Sequence, residues 1–513
     1  MVEQKIISLY GYFSQAPTIT AAIQNLKYDL IIITYVYAQK SLDISHVFRH
    51  SWGMETFSIP HPTPNVIPSK AQALVDRIST AFRALPDARK PGNNTKYSLF
   101  DAACSAFSVF FTQSPSFLAF QRNLSRTTGR NNVQSLFGVH DVPTDVQIRN
   151  ILDPVRAKEV APLIQGVGDA LWSEGCLSDY RVLNGTVLIA LDGTDTFSSD
   201  SGILCPSCHV SNRSDGSVLH RHIAVTPALV APGEPRVVPL PPEFVVREDG
   251  REKQDCEIRA ASRWIDTWGA HYAHWNGTLL GDDLYAHQPF CEKAQASGFH
   301  FLFTCKPVSH PTTYEWVDDF ARSGQIGTHS VIIAKSQGKA KGKRIPKVVR
   351  ECWSFRFMPD LPLRDTDDAL LSNWFELTVT DEETGKTLYH HSWITDHPVT
   401  EDTLVALAKA GRARWKIENE HIQTLKIGGY RLEHNFGHGK RHLSNLLASM
   451  NILAFLMHTA FEFLDDRYRT LRFRYGSRVM FFQEFSMLLN WFLFENWDHV
   501  IAVMFAKLRV DSG

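Results

Sequence analysis

The stretch from Arg181 to about residue 307 constrains this chain most, because its hydrophobic period changes in a fixed order. Three β-rich runs, RVLNGTVLIALDG, RHIAVTPALV and EPRVVPLPPEFVV, are separated by Gly, Pro, Ser and Asn. A segment with helical period follows, KQDCEIRAASRWIDTWGAHY, then a short apolar strand, NGTLLGDD, a helix across HQPFCEKAQASG, and a last strand, FHFLFTCKP. The order is β-β-β-α-β-α-β. Hairpin-length links suit antiparallel strands, whereas parallel strands need helical crossovers.

That order predicts an α/β (α+β) fold built on a ribonuclease-H-like mixed sheet, in which antiparallel strands are extended by parallel ones. The core spans residues 181–307 in its first part and is completed at 401–440. Between them, residues 308–400 read as a β-rich insertion carrying VIIAK, VVRECWSFRF, WFELTV and TLYHHSWIT. Helical spacing dominates residues 66–180 and 441–513, the first a candidate DNA-binding domain. Residues 1–65 end in the Pro-rich IPHPTPNVIP and have no assigned role. One long helix is expected from residue 401 to 426, stopped by Gly428 and Gly429.

With 44% hydrophobic and 21% charged residues over 513 positions, the chain has ample material for an ordinary core. Its most apolar stretches, residues 446–464 and 479–494, are interrupted by Asn451, His458 and Glu462 and by Gln483, Glu484 and Asn490, so both read as buried helices and no membrane span is expected. Glu3 and the lack of a basic segment before an apolar run argue against a secretory signal. Eight cysteines are too few for a disulfide scaffold, which points to reduced thiols in the cytoplasm. A net charge of −1 does not exclude a nucleic-acid partner, because phosphate affinity follows local clusters.

Phosphodiester cleavage commonly uses two divalent cations about 3.5–4 Å apart, held by carboxylates. Asp192 follows the apolar run VLIAL just where the chain turns, and Asp282 follows TLLG at the end of a later strand. Parallel strands would bring these two ends together. The third acid should come from a neighbouring helix. Glu418 qualifies, with Arg414 four residues earlier and Lys426 eight later on a similar helical face, suited to gripping phosphate while the acid binds metal. Asp195, Asp283 and Glu420 are near neighbours that compete for these roles, and an isolated Asp before Gly is often only a turn residue.

Other constellations stand apart from the acids. Cys205-Pro-Ser-Cys208 with His220 and His222 has the donor set of a structural zinc site, against the alternative of reduced thiols in a turn. Lys335, Lys339, Lys341, Lys343, Arg344, Lys347 and Arg350 form the densest basic run. Arg467, Arg469, Arg472, Arg474 and Arg478 alternate with Tyr468, Phe473 and Tyr475, a pattern suited to phosphate contact and stacking. GHGKRH, at 437–442, opens a helix and would turn backbone N–H groups and Lys440 toward a phosphate.

The segments VLIALDGTDTFSS, PLPPEFVVREDGREKQDCEIRAASRWI, LLGDDLYAHQPF and GRARWKIENEHIQTLKIGGYRLEHNFGHGKRHLSNLLASMNILAF resemble those of bacterial insertion-sequence DDE transposases, particularly the ISNCY-type group, over roughly residues 65–465. The resemblance implies a ribonuclease-H-like catalytic domain, often with a β-rich insertion before the last acid, and two magnesium or manganese ions on Asp192, Asp282 and Glu418. Within DDLYAH it selects Asp282 over Asp283. It further implies cleavage at the inverted repeats that end a transposon and joining of the freed 3′-hydroxyl to target DNA. A homodimer on paired ends in the nucleoid-associated cytoplasm follows from the same likeness. A nuclease that cleaves without joining, or a DNA-binding protein without catalysis, are the competing expectations. Related enzymes carry Tyr, Arg, Glu and Lys separated by two, three and six residues. Here Arg414 and Glu418 keep that spacing, Gly411 replaces the Tyr, and the Lys is displaced by one to Lys426. Lys426, Tyr430, His434 and His438 are candidates for the remaining phosphate contacts. A hairpin intermediate would need a flipped base on an aromatic, for which the insertion offers Trp316, Trp353 and Trp374, with core packing the competing use.

Overall fold

The computed structural model describes residues 70–510, apart from 91, 93–95, 125–126, 204, 214, 247–248, 250–252 and 338–346. The readings of residues 1–65 and of Lys339, Lys341, Lys343 and Arg344 lie outside the described residues.

The ribonuclease-H-like core is organised around β2 (Thr186–Ala190), whose five residues are all buried. On one side β2 pairs antiparallel with β6 (Ala228–Val230), and β6 with β7 (Val238–Pro239); a two-residue strand, β1 (Arg181–Val182), also pairs with β2. On the other side β2 runs parallel to β9 (Gly277–Gly281), and β9 parallel to β10 (His300–Thr304). The spatial order β7-β6-β2-β9-β10 is the mixed sheet expected from the sequence. The Lys253–Ala273 helix makes the crossover from the antiparallel strands to β9, and Gln288–Ala296 links β9 to β10. Continuous apolar runs in β2 and β9 reflect burial on both faces of a parallel pair.

The β-rich insertion extends this same sheet. After a helix, Pro311–Arg322, it forms β11 (Gly327–Gln337), β12 (Lys347–Pro362), β13 (Leu371–Asp381) and β14 (Thr387–Thr395), an antiparallel meander whose last strand pairs with β10. A second sheet was not foreseen. It comprises β3 (Gly193–Ser199), β5 (Val218–Val225), β4 (His209–Asn212) and the two-residue β8 (Glu243–Phe244), all paired around β5. It leaves the main sheet directly after Asp192.

The N- and C-terminal helical regions share one core. Helix Leu99–Phe111 is buried along its whole length and packs on Leu443–Leu464, with Phe111 touching the rings of His458, Phe461 and Trp497. Leu443–Leu464 is the one described helix long and apolar enough to cross a membrane, and its apolar surface is spent inside this core. No cysteine among the described residues is in a disulfide.

The expected continuous helix at 401–426 is broken. Glu401–Arg412 ends at a turn over Ala413 and Arg414, a π-helical segment runs Ile417–Ile422, and Gln423–Ile427 finishes the element. Burial explains the widened turn. Ile417, His421 and Ile422 all point into the core, while Lys416 donates to the Glu234 carbonyl at 2.8 Å and the His421 ring packs on Phe455. Single π-turns of this kind concentrate at functional sites.

Candidate active site

Register places the first two acids. Ala190 in β2 lies opposite Leu280 in β9, and the Leu191 N–H donates to the Leu280 carbonyl at 2.8 Å. Asp192 and Asp282 each lie two residues beyond that paired level, at the C-terminal edge of the sheet. Asp192 is largely buried, and its carboxyl is pushed up to about 7. Burial is the largest cause, followed by the charge of Glu257; Arg414 opposes the shift, while Glu418 and Asp282 add to it. One buried carboxylate therefore feels all three other acids and the arginine. Arg414 donates to Glu418 at 2.7 Å across one turn, leaving Glu418 about half exposed, while Asp192 and Asp282 are half-buried.

Asp282 and Asp283 face different surroundings. Asp282 accepts the Leu284 N–H at 3.0 Å, capping a short 3-10 turn. Asp283 accepts the Lys306 N–H at 2.7 Å, the Ser309 hydroxyl and a contact from His310 at 3.5 Å. Burial works to raise the Asp283 carboxyl, but those hydrogen bonds outweigh it and hold the group low. Asp283 is thus committed to bracing the loop after β10. Asp195 is likewise committed, in a two-point pair with Arg221 at 2.8 and 2.6 Å.

Glu257 is the site residue that sequence reasoning missed. It lies on the Lys253–Ala273 helix and is only 6% exposed. Its Oε1 accepts the Gly193 N–H at 3.1 Å and the Tyr285 hydroxyl at 2.8 Å. Glycine at 193 permits this close approach, since a Cβ there would lie 2.4 Å from the Glu257 carboxylate and would displace it. The signal was present in the helix pattern. Glu257 shares a face with Ala260, Ala261, Trp264 and Ile265, all buried, and an acid on an apolar face needs a partner.

The departure at Gly411 also has a physical cause. A Cβ at 411 would meet the Trp393 ring nitrogen at 2.5 Å, so no tyrosine fits. Lys426 pairs with Glu433 at 2.7 Å. Tyr430 is buried with its hydroxyl 2.6 Å from His458 Nδ1, which removes it from the phosphate candidates. His438 stacks on His222, and His434 packs against Phe436.

Two expected phosphate surfaces are in large part engaged by internal acids, Arg474 being exposed. The N–H groups of Lys440, Arg441 and Leu443 converge on the Asp153 carboxylate at 3.0–3.3 Å, so an internal acid occupies the place expected for a phosphate; the Lys440 side chain stays exposed. In the arginine cluster, Arg467 pairs with Asp465 and Asp498, Arg469 with Asp466, and Arg472 and Arg478 both with Glu462. Tyr468 is buried there, while Phe473 is 85% exposed. In the insertion Lys335 pairs with Glu351 and Arg350 with Glu382, and Trp353 and Trp374 are core residues. Trp415, between Arg414 and the π-turn in sequence, is an exposed aromatic.

The zinc candidates are brought together as two pairs. Cys205 Sγ lies 3.4 Å from His222 Nε2, and Cys208 Sγ 3.7 Å from His220 Nδ1. A further group, His300, Asp396 and His397, has ligand atoms all within 4.8 Å at the opposite end of the main sheet. Compared with protein-family models and with curated proteins, the chain matches none.

Proposed function

We propose that this protein is a DDE-type transposase whose metal-holding acids are Asp192, Asp282 and Glu418. The observation that carries this reading is that three other acids, Glu257, Asp282 and Glu418, each from a different element, act on the half-buried Asp192 and are offset by one arginine. Such an excess of like charge in a largely buried place is costly unless cations offset it. The carboxylate donors suit magnesium or manganese, two ions of which would sit on Asp192, Asp282 and Glu418 and stabilise attacking and leaving oxygens.

The chain's own residues do the rest. Glu257, held by Tyr285 and the Gly193 N–H, fixes the turn that aims Asp192. Arg414 orients Glu418 and presents its remaining N–H groups toward a bound phosphate. Trp415 offers a face for a nucleotide beside the cleaved bond. The exposed Lys440 side chain adds a backbone contact. The partner is double-stranded DNA carrying terminal inverted repeats, bound by a homodimer.

The test supplies purified protein with magnesium and a pre-cleaved DNA end bearing a 3′-hydroxyl. Joining of that end to a second duplex is expected, and its loss in Asp192→Asn should leave end binding in place. Hydrolysis without joining would instead make the protein a nuclease. Cleavage undiminished in Asp192→Asn would sink the site assignment.

A further inference from the structure

A buried hydroxyl beside the first acid makes no hydrogen bond. Thr226 directly follows β5 and is 1% exposed, and its Oγ1 has no partner among the described residues. Buried threonines elsewhere in the two sheets are paired. Thr278 Oγ1 donates to the Thr186 hydroxyl at 3.1 Å, Thr196 to the His222 carbonyl at 3.3 Å and Thr395 to the Phe301 carbonyl at 2.6 Å. A buried hydroxyl left unpaired costs free energy that valine, of the same shape, would avoid.

Register sets this hydroxyl against Asp192. Ala190 in β2 pairs with Ala228 in β6, and Gly193 in β3 with Val225 in β5, so one antiparallel register runs through both sheets. In that register Asp192 lies opposite Thr226, and the Thr226 N–H donates to the Asp192 carbonyl at 3.0 Å. Directly opposed residues project to one face, with Cβ atoms about 4.5–5.5 Å apart. At that separation, rotation about χ1 carries a hydroxyl into reach of a carboxylate. The neighbouring acids already have donors: Glu257 takes the Gly193 N–H and the Tyr285 hydroxyl, and Asp195 takes Arg221.

We infer that Thr226 is a positioning residue for Asp192: in the cation-loaded protein its hydroxyl donates to one carboxylate oxygen, which leaves the other for the ion. This rests on the reading of Asp192 as a metal-holding acid. Loss of a group that orients a metal ligand commonly weakens metal binding by about 10–100-fold. The hydroxyl thus acts in opposite directions in the two states. It costs stability in the metal-free chain and contributes affinity in the loaded one, whereas a threonine kept for packing alone would stabilise both.

The probe is manganese alone, titrated into the full-length protein, with the free ion read by electron paramagnetic resonance. Asp192→Asn comes first and should lower manganese affinity. Undiminished affinity in that variant, or wild type that binds no manganese, sinks the assignment of Asp192 and this inference with it. Thr226→Val should then weaken manganese binding by about tenfold, while Thr226→Ser keeps the wild-type affinity. Wild-type affinity in Thr226→Val, or equal weakening in Thr226→Ser, overturns the role of the hydroxyl and leaves the assignment of Asp192 standing. Denaturant unfolding without metal supplies a second readout. Thr226→Val should shift the midpoint upward, because a methyl group replaces an unpaired hydroxyl. A downward shift, or failure of the valine variant to fold, means that the hydroxyl is already bonded in the metal-free protein and overturns the inference as well.

Discussion

The two ends of the main sheet each gather ionisable groups, and they treat them oppositely. At the far end, Asp396 accepts from the His300 ring and the Phe301 N–H at 2.9 and 2.8 Å, while His397 bonds the Thr278 hydroxyl at 2.8 Å. Each group there answers another. At the C-terminal end, Asp192, Glu257, Asp282 and Glu418 share one charge sign and have Arg414 as the cation acting on Asp192. Proximity of ligand atoms alone would favour the first cluster as a metal site; charge that remains unanswered favours the second. A self-satisfied cluster braces the fold, whereas an unbalanced one waits for something from outside.

The largest effect should separate the two ends by activity. Asp192→Asn, Asp282→Asn and Glu418→Gln should each lower magnesium-dependent cleavage by about 10³-fold or more, the several kcal/mol that bound metal contributes. Asp396→Asn should leave the rate of the folded fraction within a few-fold; a comparable collapse there would erase the contrast.

Stability should move the other way. Asp396→Ala leaves the Phe301 N–H and His300 without their acceptor and should cost about 1–3 kcal/mol in denaturant unfolding. Asp192→Asn should stabilise the metal-free protein at neutral pH. The sign follows from the raised carboxyl: between its unfolded value near 3.8 and about 7 the folded state holds a proton that the unfolded state releases, so stability contributed by this group falls as pH rises through that window. Buried histidines titrate in the acid part of the range, so the informative quantity is the difference between wild type and Asp192→Asn across pH 4 to 8. That difference should grow with pH and shrink when magnesium is added. A flat difference would mean that Asp192 is not under charge strain.

Smaller effects test the supporting residues. Gly411→Ala should cost about 1–3 kcal/mol through its collision with Trp393. Arg414→Ala should flatten the salt dependence of DNA binding by roughly one phosphate contact, while Arg467→Ala, whose guanidinium is held by Asp465 and Asp498, should leave the slope unchanged. Equal slopes for both variants would show that the arginine cluster reaches DNA after all.

What was legible in the sequence was whatever depends on near neighbours. The run VLIAL ahead of Asp192, the TLLG strand before Asp282 and the four-residue step from Arg414 to Glu418 each announce themselves within one element. Contacts across long separations did not. Asp153 capturing the N–H groups at 440–443, Glu257 reaching Gly193 and Tyr285, and β14 pairing with β10 join residues 28 apart for Glu257 and Tyr285, 64 for Glu257 and Gly193, and 287 for Asp153 and Lys440. No local period encodes such pairings. The arginine cluster shows the same limit: its basic, aromatic rhythm is visible in sequence, but Glu462 and Asp498, which pair with Arg472, Arg478 and Arg467, lie outside the run.

The π-segment at Ile417–Ile422 amounts to one surplus residue wound into a helix. Lys426 sits one position later than the expected Tyr, Arg, Glu, Lys spacing places its lysine, and one surplus residue between Glu418 and Lys426 would return it to about the same azimuth. The two irregularities would then cancel. Sequence spacing and angular spacing thus part company here, and a one-residue deletion within 419–421 would rotate all that follows by about 100°. Deleting a residue at this turn would therefore disturb the site more than deleting one from an exposed loop, although no acid would be lost.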